Sequence, residues 1–284
     1  MITNNIVDLI GNTPLIKLKY PSEITNCEIY GKAEFLNPGG SIKDRTALGI
    51  ILDAEKNKLI EPNGICVEGT FGNTGIGLTL VNNARGYKTV IVMPNITVPS
   101  KRDILKNMGA ELHLVDPQPY SDPGNYQRVS ERLAKEIEKE RGVKTFWAGQ
   151  FENTSNYKFH EQTTANEIYN QTNGNINGFT CAIGTGGTLT GVGIGLKSRD
   201  KNIQIACTDS QGSSMYNYFT SGNLEKKGDP SFTEGIGQAR ITKNLEKCEV
   251  DMSYYVDDKE CIEMLFKLIK TEGLFLGTSS GVNV

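Results

Sequence analysis

Lys43 is the side chain with the clearest claim to covalent chemistry. It lies in Asn37 to Arg45 (NPGGSIKDR), where Asn-Pro-Gly-Gly makes a turn and Ser41 with Asp44 forms the S-x-x-D pattern of a helix start. That spacing predicts Lys43 in a first helical turn. There the positive end of the helix dipole and the nearby Arg45 disfavour an ammonium and favour a nucleophilic amine able to form an imine. The same pattern also accommodates an ordinary solvated lysine, as most lysines are.

Three further corners are rich in small residues. Gly184, Thr185, Gly186, Gly187 and Thr188 (GTGGT) follow the apolar strand that ends at Ile183 and precede the helical pattern Leu189 to Leu196. Successive backbone N–H groups there can form a nest for a phosphate, with the threonine hydroxyls and the helix start as further donors. A tight turn with close helix packing is the alternative. Leu189 breaks the G-x-G-x-x-G dinucleotide pattern, and Leu196 breaks a Walker A motif at Gly191 to Ser198, so a monophosphate fits better than a nucleotide. The corner Glu68 to Leu78 (EGTFGNTGIGL) offers Thr70, Asn73 and Thr74 around exposed N–H groups, which suits a carboxylate or an aromatic hydroxyl. Asn73 and Thr74 also fit the start of the following helix as caps. Gly277 to Gly281 (GTSSG) is a fourth small-residue turn.

These corners need strands and helices to hold them. Short β-branched runs alternate with helical stretches, the pattern of crossover units on a parallel sheet, so the class is α/β. The patterning predicts strands at Ile65 to Val67, Thr89 to Met93 and Glu111 to Val115. It predicts helices at Ser100 to Met108 and Asn125 to Arg141, with a loop from Asp116 to Gly124. Thr180 to Ile183 and Ile203 to Thr208 are continuously apolar and read as strands covered on both faces by helices, and Asn170 to Gly178 reads as a polar loop.

The chain has 284 residues, enough for one large domain or two lobes, since single cores stop growing near ~250 to 300 residues. Thirty Lys+Arg against 33 Asp+Glu leave a net charge of −3, spread along the chain, which argues against nucleic acid or anionic lipid as partner. No apolar run approaches the ~18 residues that cross a bilayer. Six scattered cysteines without a C-x-x-C pair, and only His113 and His160, argue against a metal site. With no leader pattern at Met1 to Asp8, they suit reduced thiols in a cytoplasmic setting.

Taken together, IGNTPLIKL at Ile10 to Leu18, NPGGSIKDR, EGTFGNTGIGL, GTGGT, EGIGQ at Glu234 to Gln238 and GTSSG resemble, in order, the cysteine synthase and cystathionine β-synthase family. The resemblance implies a two-lobed, tryptophan-synthase-β-like fold (fold type II), each lobe a mainly parallel sheet flanked by helices, with pyridoxal 5'-phosphate as cofactor. Residues 1–40 and 153–284 would form the larger lobe and 41–152 a smaller mobile one. By position, Lys43 would bind the cofactor aldehyde as an imine and later remove the substrate α-proton. Gly184 to Thr188 would be the phosphate cup, Asn73 would reach the ring hydroxyl and Ser279 the pyridine nitrogen. Thr70, Gly72, Asn73, Thr74 and Gln150 would grip the substrate carboxylate. A neutral partner at the ring nitrogen favours elimination across Cα–Cβ over transamination.

The implied reaction is β-replacement on an O-activated L-serine, with O-acetyl-L-serine and sulfide giving L-cysteine and acetate. Cystathionine synthesis, with a thiol as nucleophile, and cysteine desulfhydration are alternatives within the family. A catalytically idle paralogue acting as a binding partner is an alternative of another class, against which Lys43 and Asn73 speak. The family implies a homodimer and, in some bacterial members, a contact between the carboxylate loop and serine acetyltransferase, which the ring of Phe71 opposes. It also implies a helix and strand beyond GTSSG, so the large lobe is expected to be incomplete at Val284.

Overall fold

A computed structural model describes residues 2–284. The chain forms two compact units, one made of the residues up to Gly11 with Leu36–Asn156, the other of Asn12–Phe35 with Tyr157–Val284. These bounds differ from the expected ones at residues 2–11, 36–40 and 153–156.

The second unit opens with the antiparallel pair β1 (Leu15–Lys17) and β2 (Tyr30–Lys32), separated by α1 (Lys19–Thr25). The first unit then runs α2 (Lys43–Lys56), β3 (Ile65–Gly69), α3 (Asn73–Arg85), β4 (Lys88–Pro94), α4 (Pro99–Asn107), β5 (Glu111–Val115), α5 (Tyr126–Arg141) and β6 (Thr145–Trp147). Its four strands form a parallel sheet in the order β5-β4-β3-β6. Successive side chains of β4 point to opposite faces, and both faces are covered. Val90 joins Ile65, Val67 and the α5 residues Ala134 and Ile137. Ile91 and Met93 pack instead with Leu105 of α4 and with Ala110. Asn125 caps α5 by accepting from the Gln127 N–H at 3.0 Å, and Gly142 ends it in a left-handed conformation.

α6 (Ser155–Gln162) carries the chain into the second unit, followed by α7 (Thr164–Gln171), β7 (Gly178–Ala182), α8 (Gly187–Lys197), β8 (Gln204–Ser210), α9 (Met215–Ser221), β9 (Met252–Val256), α10 (Asp258–Glu272) and α11 (Thr278–Asn283). The three strands are parallel in the order β7-β8-β9. The central β8 is buried from Ile205 to Ser210, as its apolar run predicts. β7 is not covered on both faces: it is an edge strand, and Gly178 and Thr180 are exposed. The expected loop at 170–178 is shorter than its polar composition suggests, because α7 continues to Gln171.

α8 packs through glycine. A Cβ at Gly191 would overlap the Tyr157 carbonyl oxygen, and one at Gly195 would stand 2.5 Å from Ala165 Cβ. The opposite side of α8 is apolar, with Leu189, Val192 and Leu196 in the core alongside Ile205 and Cys207 of β8.

Candidate functional site

Lys43 is the first residue of α2, one turn nearer the helix start than a conventional interior lysine. The expected capping box is absent. The N-cap is Ile42, without a side-chain cap bond. Ser41 Oγ accepts instead from the Lys43 N–H at 3.2 Å, and Asp44 reaches back to accept from the Gly39 N–H at 2.5 Å. Two short-range turns thus replace the predicted reciprocal pair, because the Pro-Gly-Gly corner supplies a nearer donor to Asp44 than the Ser41 amide. Asp44 and Arg45 are fully buried while Lys43 is half-buried.

α2 lies against α3 at Gly77. A Cβ there would stand 3.0 Å from the Lys43 carbonyl oxygen and 3.1 Å from Asp44 Cα, so a larger residue would push the two backbones apart by a few tenths of an ångström. Gly77 therefore docks the Lys43 turn onto the helix whose start is the 70–74 segment. In that segment Thr70 Oγ1 accepts from the Gly72 N–H at 3.1 Å, and Thr74 donates to Gln150 Oε1 at 2.6 Å. Thr70, Gly72, Thr74 and Gln150 are buried, whereas Asn73, the first residue of α3, is exposed. Neither Asn73 nor Thr74 caps α3: the N-cap is Gly72, and the Thr74 hydroxyl is turned to Gln150. The stem of Lys101 lies over Gly72, and the Phe71 ring meets Tyr126 edge to face at 5.1 Å.

The structure adds a residue the sequence reading passed over. Glu68, 2% exposed at the end of β3, accepts from the Gln150 backbone and side-chain N–H groups, each at 3.2 Å. Burial pushes its carboxyl up to about 8, against the pull of N–H donors on Gln150, Gly69 and Gly149. A carboxylate closing an apolar strand just before a glycine-rich corner was the available signal.

In the second unit, the 184–188 turn leads straight into α8. Gly186, at φ +88°, is the N-cap, and Thr185 Oγ1 accepts from the Gly187 N–H at 3.3 Å. Thr188 Oγ1 lies 3.4 Å from Nε2 of the buried His160. The turn is held from behind by the EGIGQ segment: Gly237 N–H donates to Ile183 O at 2.9 Å and Gln238 Nε2 to Gly184 O at 3.0 Å. Thr242 donates its hydroxyl to Thr185 O at 2.7 Å. Ser279 is the second residue of α11; its carbonyl accepts from Asn283 Nδ2 at 2.6 Å, and Asn283 Oδ1 accepts from the N–H of Ala182, the last residue of β7. His160 and Gln238 are further residues without an assigned role in the sequence reading.

Gly186 carries a direct prediction. A side chain at its φ costs about 1–2 kcal/mol, and a Cβ would overlap the buried Leu245 side chain, adding about 1–3 kcal/mol. Gly186→Ala is expected to lower unfolding stability by about 3 kcal/mol, measured by urea titration; a loss below about 0.5 kcal/mol, the range of a neutral surface change, would contradict it.

Among the described residues, no group of three His, Cys, Asp or Glu side chains is placed to hold a metal ion, and no helix is long and apolar enough to cross a membrane.

A family model described as pyridoxal-phosphate dependent enzyme matches residues 6–284. Cysteine synthase 1 of Neurospora crassa is 45% identical over 288 residues, an alignment that spans 100% of this chain and 75% of that protein. Two solved structures share the fold across the whole chain. O-ureido-L-serine synthase aligns with a TM-score of 0.87 at 31% identity, covering 100% of this chain and 85% of that one. The O-acetylserine dependent cystathionine beta-synthase from Helicobacter pylori aligns with a TM-score of 0.86 at 32% identity, covering 100% and 88%. With its two parallel sheets, its lysine at the start of α2 and its glycine-rich turn at the start of α8, the chain belongs to the pyridoxal-phosphate dependent enzymes of fold type II.

Proposed function

We propose that this enzyme replaces the β-substituent of an O-activated L-serine, taking O-acetyl-L-serine and sulfide to L-cysteine and acetate. The observation that carries the reading is the docking of the Lys43 turn onto α3 at Gly77. The proton to be removed and the carboxylate to be gripped are borne by the same substrate carbon. A base and a carboxylate-binding segment packed into one unit suit that demand. The similarity to a cysteine synthase along the whole chain supports the choice of substrates.

The residues present fit pyridoxal phosphate. The start of α8 presents N–H groups and a positive dipole end without any acidic side chain in the turn, as a phosphate dianion requires. When bound, the cofactor supplies the electron sink that makes the substrate α-proton acidic and lets the β-substituent depart. Lys43 would hold the cofactor's carbonyl carbon, Gly184, Thr185, Gly186, Gly187 and Thr188 its phosphate, Asn73 its ring hydroxyl and Ser279 its ring nitrogen. Thr70, Gly72, Asn73, Thr74 and Gln150 would orient the substrate carboxylate.

Lys43 Nζ, released when the substrate's amino group takes its place on the cofactor, would accept the proton from the substrate α-carbon; acetate would leave with the bonding electron pair, sulfide would add to the β-carbon, and Nζ would return the proton to the α-carbon. Ser279, being neutral, would leave the ring nitrogen of the bound cofactor largely unprotonated, which favours departure of the β-substituent over transamination. We further propose a homodimer acting in the cytoplasm.

The test is a product assay. O-acetyl-L-serine with sulfide is expected to yield L-cysteine. The structural similarity to an O-acetylserine dependent cystathionine beta-synthase favours one second reading, with homocysteine as nucleophile. Turnover with homocysteine and none with sulfide would replace the first reading by the second.

A further inference from the structure

Glu68 is buried, and nothing in the chemistry above uses it. Both of its oxygens are engaged by one residue: Oε1 accepts from Gln150 Nε2 and Oε2 from the Gln150 backbone N–H, each at 3.2 Å. Gln150, itself 3% exposed, faces two ways. Its Nε2 donates to Glu68 and to Gly69 O at 3.2 Å, while its Oε1 accepts from the Thr74 hydroxyl at 2.6 Å. A primary amide has two orientations that exchange its donor and acceptor ends. Turned over, the amide would take its N–H donor away from the Gly69 carbonyl and from Glu68 Oε1 and set its own oxygen against that carbonyl. Buried polar groups left without partners in this way are strongly disfavoured.

We propose that Glu68 is a positioning residue for substrate: by accepting from both N–H groups of Gln150, it fixes that amide with its oxygen toward Thr74 and so sets the shape of the 70–74 segment before any carboxylate arrives. The chain of contacts runs from the end of β3, through Gln150, to the second residue of α3. Every link lies within one unit. Glu68 acts through Gln150 and Thr74 and touches no substrate atom. The proposal rests on the reading of residues 70–74 as the carboxylate grip, and it adds the element that holds the grip in register.

The experiment compares holoenzymes carrying Glu68→Gln, Glu68→Asp and Thr74→Val with the parent. Binding of L-alanine, which has the carboxylate but no leaving group, is read from the visible absorbance of the cofactor. Ethylamine, which lacks the carboxylate, serves as the second probe. Glu68→Gln keeps the volume but confronts N–H donors with an NH₂, and Glu68→Asp keeps the carboxyl group but falls one methylene short; either serves if the other fails to fold. Losing the orientation of one buried hydrogen bond is expected to raise the dissociation constant for L-alanine about tenfold. The constant for ethylamine should stay within about twofold, a small change on that scale. If both Glu68 variants bind L-alanine like the parent while Thr74→Val binds it weakly, the role of Glu68 is overturned and the grip stands. If Thr74→Val also binds normally, the grip itself is wrong. If both probes weaken together, Glu68 is merely structural and the proposal fails.

Discussion

Lys43→Ala is expected to lose turnover by a factor on the order of 10³ or more, since a positioned proton carrier alone contributes roughly 10² to 10⁴ and the role proposed for this residue includes holding the cofactor. The fold tolerates the change. Lys43 is half-buried at the first position of α2, the neighbouring Asp44 and Arg45 carry the burial of that turn, and alanine is the best helix former. With the cofactor removed from both, its unfolding midpoint should therefore match the parent, which separates lost chemistry from lost structure. Borohydride reduction of the parent holoenzyme followed by peptide mapping should place the pyridoxyl group on the peptide containing Lys43. A variant that keeps a tenth of the parent turnover, or a label on another lysine, would refute the assignment.

The second large effect is a stability that falls as pH rises. Burial raises the Glu68 carboxyl from the ordinary 4.5 to about 8. Between those values the folded chain keeps a proton that the unfolded chain has released. Stability associated with this group is thus full below about pH 4.5, declines through neutrality and levels off above about pH 8. At about 1.4 kcal/mol per pH unit the interval corresponds to roughly 4–5 kcal/mol, comparable with the whole margin of a small domain. The direction is opposite to that of a carboxylate held by a cation, such as Glu111 beside Arg141, whose carboxyl is pulled down to about 2. Urea unfolding at pH 5 and pH 8 should show the parent losing stability relative to Glu68→Gln, in which position 68 no longer titrates. Parallel curves for the two proteins would show that Glu68 is ionised in both states.

Much of this architecture was legible as pattern. The strand at 111–115 and the helix ending at Arg141 were readable because alternation and a solvated charged face run over whole elements. The glycine-rich turn before α8 was legible because glycines cluster only where backbone geometry demands them. The misreadings are local. Ser41 and Asp44 have the residue types of a capping box, but the chain tightens at Gly39 and sends Asp44 elsewhere. Thr74 has the type of a cap, but a buried amide 76 residues away claims its hydroxyl. β7 is apolar enough for a central strand and lies at an edge, since strand order is set by packing that its own five residues do not encode. Glu68 escaped for the same reason: its partner comes from 82 residues further along the chain.

The glycines of α8 bear on how the molecule acquires its cofactor. Gly191, Gly193 and Gly195 fall within an eleven-residue helix, and each lowers helix propensity by about 1 kcal/mol relative to alanine. Such a segment does not nucleate alone. Its bare backbone packs on α6 and α7, and that packing supplies the stability its own sequence lacks. The turn at its start, proposed above to hold the cofactor phosphate, is therefore expected to form together with that packing and not before it. Pyridoxal phosphate would then favour the folded chain over the unfolded one, and its capture would pull the maturation equilibrium forward by mass action.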